Sequence, residues 1–336
     1  MTARYRLYGA EVSYFTAKVR PALRAKGVPF TEILATPSVF RDVILPRTGL
    51  AFIPVVTTPD GETWQDTSEI LDRLEARVPE PALAPPGAFL RVAAALLEVY
   101  ADEFLILPAM HYRWSFPESE AKARADFAAT IGDPAAASRF ADRMKGSIAM
   151  LGVTPLSAPA IEAHTRDLLD RLETLFAATP FLLGERLSVA DCALLGPLYA
   201  HLYLDAVPGR LLRKAAPRVC HWTERCNHPD PDAVGTWLDG VRAVVQWADT
   251  APRASAEVPR GVGSHETRLR DAVLSRYTSP YTLWMLQRPL AAYAALSADE
   301  RARVDRLLAS TGLDTWLAYR PRHRLAKREF KLILEA

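Results

Sequence analysis

The chain has 336 residues, of which 49% are hydrophobic and 24% charged, with a formal net charge of +2. That length accommodates two domains and a large core, and that balance excludes a disordered chain and argues against a nucleic-acid partner. Three cysteines make no disulfide framework and fit a reducing compartment. With no apolar signal region and no uncharged run of the ~18 residues a membrane span needs, a cytoplasmic protein without a membrane partner is expected.

In chain order, Tyr5-Arg6-Leu7-Tyr8 reads as a strand that turns at Gly9. Ser13 then stands at the N-cap of a helix whose Phe15, Val19 and Leu23 recur every four positions. The first N–H groups of a helix lack intrahelical partners and its dipole adds positive charge there, so an anion is favoured beside Ser13. Gly27 and Pro29 end this helix. Phe30–Leu34 alternates as a second strand, a short helical or irregular piece covers Ser38 to Leu45, and Phe52–Thr57 forms a third strand. Asp60-Gly61 turns that strand into Glu62-Thr63-Trp64, and Asp66-Thr67-Ser68 caps a helix with Ile70, Leu71 and Leu74 on one face. This unit, residues 1–77, is α/β.

Four prolines and a glycine in Val78–Gly87 mark a linker over residues 78–88. The pattern is then helical over residues 89–249. Phe89 to Tyr112 is predicted as one long helix kinked at Pro108, and Ile161, Leu168, Leu169, Leu172, Leu175 and Phe176 form the stripe of another. Ser188-Val189-Ala190-Asp191 has the form of a capping box, with Leu187 placed to staple onto Cys192. Pro217 opens a helix through Arg225, and Ala233 to Trp247 is read as one more. Cys220 and Cys226 are six apart, on different sides of a helix, which argues against a metal site with His221 and His228. Residues 250–265 read as a second linker. Residues 266–336 read as a helical extension, broken or kinked at Pro289, with Leu283, Leu286, Leu290, Val304, Leu307 and Leu308 in its core. The basic end from Arg320 to Lys331 reads as a solvated helix face or a patch for an acidic partner.

This layout resembles the cytosolic glutathione S-transferases, an α/β thioredoxin-like N-terminal domain followed by an all-α helical-bundle C-terminal domain. Ser13 with Lys18-Val19-Arg20, Ile53-Pro54, Asp66-Thr67-Ser68-Glu69-Ile70, Phe181 to Asp191 and Ala216 to Trp222 stand in the order and spacing of that family's motifs. The resemblance implies a cis bond before Pro54, an Ile53 backbone that pairs with a peptide ligand, and Asp66 and Thr67 holding the γ-glutamyl end of glutathione. Arg47 is a candidate for the glycyl carboxylate, though a solvated loop arginine is the simpler reading. It further implies that Ser13 stabilises the glutathione thiolate, with Tyr8 or Tyr14 as the alternative donor; Tyr14 stands where the family often has proline. Tyr100, Phe104, His111, Tyr112 and Trp114 are the candidate lining of an acceptor pocket, with core packing as the rival reading. The implied activity is conjugation of glutathione, as co-substrate, to a hydrophobic electrophilic small molecule. A non-catalytic binding protein, or a glutathione-dependent isomerase, lyase or peroxidase, is the alternative. A homodimer is expected by the same resemblance.

Overall fold

Alternation along Tyr5–Gly9, the strand β1, gives the N-terminal half two buried faces. In the computed structural model, which describes residues 4–238, 280–308 and 325–334, β1 pairs in parallel with β2 (Phe30–Leu34) and antiparallel with β3 (Val55–Thr57). β3 pairs antiparallel with β4 (Thr63–Gln65), so the strand order is β2-β1-β3-β4. A parallel neighbour needs a crossover, and α1 (Tyr14–Ala25) supplies it. Tyr5, Leu7, Val56 and Trp64 point to the main core with Val19 and Leu23 of α1. Tyr8 and Val55 point the other way, onto Ile44 and Ala35. Ile44 belongs to the segment after β2, where α2 (Pro37–Val39) runs through a π-helical turn, Phe40–Ile44, into α3 (Leu45–Thr48). The expected turn glycines hold left-handed backbone, with φ of +61° at Gly27 and +93° at Gly61, where a side chain would be strained.

α4 (Thr67–Arg77) buries Ile70, Leu71 and Leu74. The proline-rich segment after it is tied down at Leu83, whose N–H donates to Glu75 and whose C=O accepts from Val189. The helical region comprises α5 (Ala88–Val99), a π-helical turn (Tyr100–Phe104), α6 (Ile106–Trp114), α7 (Pro117–Ile131), α8 (Pro134–Gly146), α9 (Ala158–Phe176), α10 (Val189–Pro197), α11 (Ala206–Ala215) and α12 (Pro217–Asn227). The long helix predicted over residues 89–112 is therefore broken at the π turn and not at Pro108. Pro108 falls in the first turn of α6, where its missing N–H breaks no α-helical bond within that helix.

The capping box at Ser188 forms as expected: the Asp191 carboxylate accepts from the Ser188 N–H at 3.0 Å. It also accepts from the Leu182 N–H and the Trp222 indole, each at 2.9 Å, which fixes α10 against α12. α10 in turn packs on α1, so α1 is enclosed by the sheet and the helical bundle. The two helices come close at Gly196, where a Cβ would lie 2.8 Å from the Tyr14 carbonyl oxygen. Gly196→Ala is expected to destabilise the protein by about 1–3 kcal/mol through this overpacking, read from the midpoint of chemical denaturation.

Three expectations for the C-terminal third change. Ala233–Leu238 is not helical: Trp237 bridges to Gly184 and the Thr236 carbonyl accepts from Glu185. The remainder of the helix predicted to Trp247, and the linker over residues 250–265, lie outside the described residues. α13 (Pro280–Ala294) runs through Pro289 without a break, with Leu286 wholly buried, and packs on α5. α14 (Ala298–Leu308) comes next, burying Val304. From Leu325 on, the basic end is a β-hairpin, residues 320–324 lying outside the described residues: β5 (Leu325–Arg328) pairs with β6 (Lys331–Leu334) across Glu329 and Phe330, both at positive φ. That is the turn geometry whose twist matches paired strands. Gln287 on α13 holds the hairpin by bonds of 2.9 and 3.1 Å to the Leu325 backbone.

Candidate functional site

Two cavities meet at Phe52 and Ile53, the loop before β3. The Ile53–Pro54 bond is cis, and among the described residues the Ile53 backbone N–H and C=O have no partner.

The first cavity, about 290 Å³, is bounded by this loop, Gln65, Asp66 and Thr67 at the start of α4, Asp102 and Glu103 of the π turn, and Trp284, Met285, Lys327 and Phe330 of the C-terminal extension. Asp66 caps α4 from positive φ, its Oδ1 accepting from Ser68 N at 3.1 Å and Glu69 N at 3.4 Å. The cap leaves out the Thr67 N–H, and neither that N–H nor the Thr67 hydroxyl has a partner among the described residues. An acceptor at this helix start therefore meets unengaged donors and the positive end of the dipole. Asp66 Oδ2 is 3.2 Å from Lys327 Nζ.

The second cavity is a cleft of about 800 Å³ between the loops after β1 and β2 and helices α6 to α8. Ser13 lines it at the start of α1. Its Oγ accepts from the Thr16 N–H at 3.3 Å, so the hydroxyl hydrogen is left to donate into the cleft. Apolar lining comes from Met110, Trp114, Phe127, Phe140 and Met144. Gly9 keeps the approach to Ser13 tight, since a Cβ there would lie 2.4 Å from the Thr16 side chain.

The structure separates the predicted site residues. Ser13, Ile53, Pro54, Asp66 and Thr67 come together around the two cavities. Tyr8 does not join them, because its ring packs with Ala35, Ile44 and Val55. The Tyr14 ring reaches the cleft wall, yet its hydroxyl donates to the Ala101 carbonyl and ties α1 to the π turn. Arg47 is exposed and bonds Thr63 Oγ1 at 3.1 Å, away from both cavities. Of the five aromatic and histidine candidates, Trp114 alone lines the cleft. Tyr100 bonds His164 and stacks on Phe104; His111 bonds Ser115 and Glu162; Tyr112 stacks on Phe116. All four are buried. The reason is helical phase: Met110, Arg113 and Trp114, spaced i, i+3, i+4, share the cleft face.

Residues to which the sequence assigned no role support the site from behind. Arg113 bonds both oxygens of the buried Asp205, the Ala200 carbonyl at 2.7 Å and the Val12 carbonyl at 3.4 Å, which positions the loop that carries Ser13. His201 lines the cleft, and burial, with Arg113 and Lys122 nearby, lowers its pKa and keeps it neutral. Lys18, wholly buried on α1, donates to Asp102 Oδ2 at 2.6 Å, Glu98 Oε1 at 2.8 Å and Ser68 Oγ at 3.2 Å. Arg288 of α13 adds a bond to Glu98 and grips Asp72 on α4 with two more. Burial pushes the Asp102 carboxyl up to about 7 against the pull of Lys18. Burial also opposes ionisation of Glu98, but Lys18 and Arg288 together hold it down at about 2. Asp102 Oδ1 has no partner among the described residues.

Comparison with known families covers the sheet unit and the later helices, but not α6 to α8 or the C-terminal extension. Residues 7–82 match the family model described as glutathione S-transferase, N-terminal domain, and residues 157–230 match the glutathione S-transferase, C-terminal domain. Both domain models of the glutathione S-transferase family thus match, in the order N-terminal then C-terminal. Glutathione S-transferases also appear among the similar solved structures. One from Methylobacterium radiotolerans, in complex with glutathione sulfonate, is 22% identical, with 76% of this chain and 99% of that one covered and a TM-score of 0.44. The beta-etherase LigF from Sphingobium sp. strain SYK-6 is 19% identical over 69% of this chain and 96% of that one, with a TM-score of 0.47. A rice glutathione S-transferase in complex with glutathione is 23% identical over 69% and 91%, at 0.44. No curated protein matches the chain. In this glutathione S-transferase fold the start of α4 and the start of α1 face adjoining cavities, and the C-terminal extension walls the first of them. Among the described residues no helix is long and apolar enough to cross a membrane, and no three metal-ligating side chains come together.

Proposed function

We propose that the protein is a glutathione transferase that joins the glutathione thiolate to a hydrophobic electrophilic small molecule. One observation carries this reading: the unengaged donors and the acid at the start of α4 open into a cavity that meets, at Ile53, the cleft holding the Ser13 hydroxyl. Glutathione laid across Ile53 pairs its peptide backbone with the free N–H and C=O there, as an added strand does. Its γ-glutamyl carboxylate meets Thr67, its ammonium meets Asp66, and its thiol reaches the start of α1.

There the thiol loses its proton to water, and the Ser13 O–H and the α1 dipole stabilise the sulfur anion. A free thiol has a pKa near ~8.5, so such donors raise the thiolate fraction at neutral pH. The thiolate forms the new C–S bond to the electrophile, and the displaced group leaves with the bonding pair. Met110, Trp114, Phe127 and Phe140 fit an apolar acceptor.

Calorimetry with glutathione is the first test. The wild type is expected to bind, and Thr67→Ala to bind about tenfold more weakly, the size expected for one hydrogen bond to a charged group. Absence of wild-type binding sinks the reading. Turnover against a panel of electrophiles and hydroperoxides then separates conjugation from peroxidase chemistry and from binding without catalysis.

A further inference from the structure

The C-terminal extension brings a cation to a place where an α/β domain alone would present acids. Lys327, on the first strand of the hairpin, is 9% exposed at its side chain and lines the first cavity beside Thr67. Its Nζ lies 3.2 Å from Asp66 Oδ2, 3.4 Å from Glu69 Oε1 and 3.5 Å from the Gln65 carbonyl, and 6.0 Å from the Trp284 ring centre. These distances exceed the 2.7–2.9 Å typical of a charge-assisted bond, so among the described residues the ammonium is attracted by several acceptors and tightly bonded to none. Its place is set by folded parts: Gln287 grips the hairpin, and Arg288 bonds Asp72 and Glu98.

We infer that Lys327 is a ligand-binding residue, added to the site by the extension, that with Thr67 takes the α-carboxylate of an amino-acid head group while Asp66 takes its ammonium. The inference rests on the glutathione reading above and names the group that makes the γ-glutamyl end selective. An α-amino acid carries opposite charges on one carbon, and the cavity presents an acid and a base side by side. Charge balance gives the reason. A ligand carboxylate at Thr67 would otherwise stand beside Asp66 and Glu69 with no cation among the described lining residues facing it, and like charges at that range repel. The hairpin forms a wall and does not fill the site, since a cavity of about 290 Å³ stays open with Lys327 in place.

The test compares glutathione with γ-aminobutyryl-cysteinyl-glycine, which lacks only the α-carboxylate, on the full chain by calorimetry. The wild type is expected to prefer glutathione by about tenfold or more. Lys327→Met is expected to lose that preference and Lys327→Arg to keep it. A purely structural role would lower both affinities together and leave their ratio unchanged, which overturns the inference. It is also overturned if Lys327→Met binds glutathione more tightly, the behaviour of a cover over the site. Should Lys327→Met not fold, Lys327→Gln takes its place in the same comparison; equal wild-type affinity for the two peptides overturns the inference together with the Thr67 contact to the carboxylate, and leaves only glutathione binding standing. Failure of the wild type to bind either peptide overturns both.

Discussion

Lys18→Met is expected to lower stability by about 3–5 kcal/mol, because it leaves the buried carboxyls of Glu98 and Asp102 without their shared cation. In thermal unfolding this corresponds to a fall of roughly 10 °C for a protein of this size. The two carboxyls set the sign of its pH dependence. Asp102, raised to about 7, contributes stability that is fully present below its unfolded pKa near ~3.9 and is lost as pH rises through 7. Glu98, held at about 2, contributes stability present above its unfolded pKa of ~4.3 and lost as pH falls through 2. Removing Lys18 raises both folded pKa values, so the variant is expected to be most damaged in alkaline buffer and partly rescued as the pH is lowered toward 5. A loss that does not change with pH would show that Lys18 acts through packing alone.

Ser13→Ala is expected to reduce turnover by about 10²-fold, the cost of removing one positioned donor from a developing or stabilised anion. Glutathione affinity should change little, since Thr67, Asp66 and Ile53 hold the peptide. The same variant loses the Thr16 cap, which is worth about 1 kcal/mol; thermal unfolding measures that small cost separately from the kinetic one. Steady-state rates at saturating glutathione with a reactive electrophile provide the readout. An unchanged rate would transfer thiolate stabilisation to the backbone N–H groups of α1, because the Tyr8 ring is packed in the core and the Tyr14 hydroxyl is bonded to Ala101.

The aromatic candidates show how a segment can be helical as expected while its working face stays undecided. Tyr100, Phe104, His111, Tyr112 and Trp114 share one apolar run. The π turn at Tyr100–Phe104 inserts a residue and rotates α6 relative to α5 by about 100°, one residue's worth at 3.6 per turn. Phase counted along the sequence through that turn therefore misplaces the face of α6, and the side chains assigned to the cleft divide between it and the core. The basic end departs from its expected helix for a related reason. Its charge is visible in the sequence, but the hairpin turn at Glu329 and Phe330 carries no glycine to announce the positive φ it requires.

Local chemistry was enough for the strand and helix boundaries that position the site. Ser13, Gly27, Asp60-Gly61, Asp66 and the Ser188–Asp191 box each act within a few residues, so the sequence by itself determined where chain direction changes and which helix starts face the cavities. Only the tertiary structure decided which charges meet. Lys18 finds Glu98 and Asp102 from another helix, Arg113 finds Asp205, and Lys327 reaches Asp66 from the far end of the chain. Such pairs have no spacing rule. Their partners are chosen by the packing of whole elements, and burial then makes each choice energetically large.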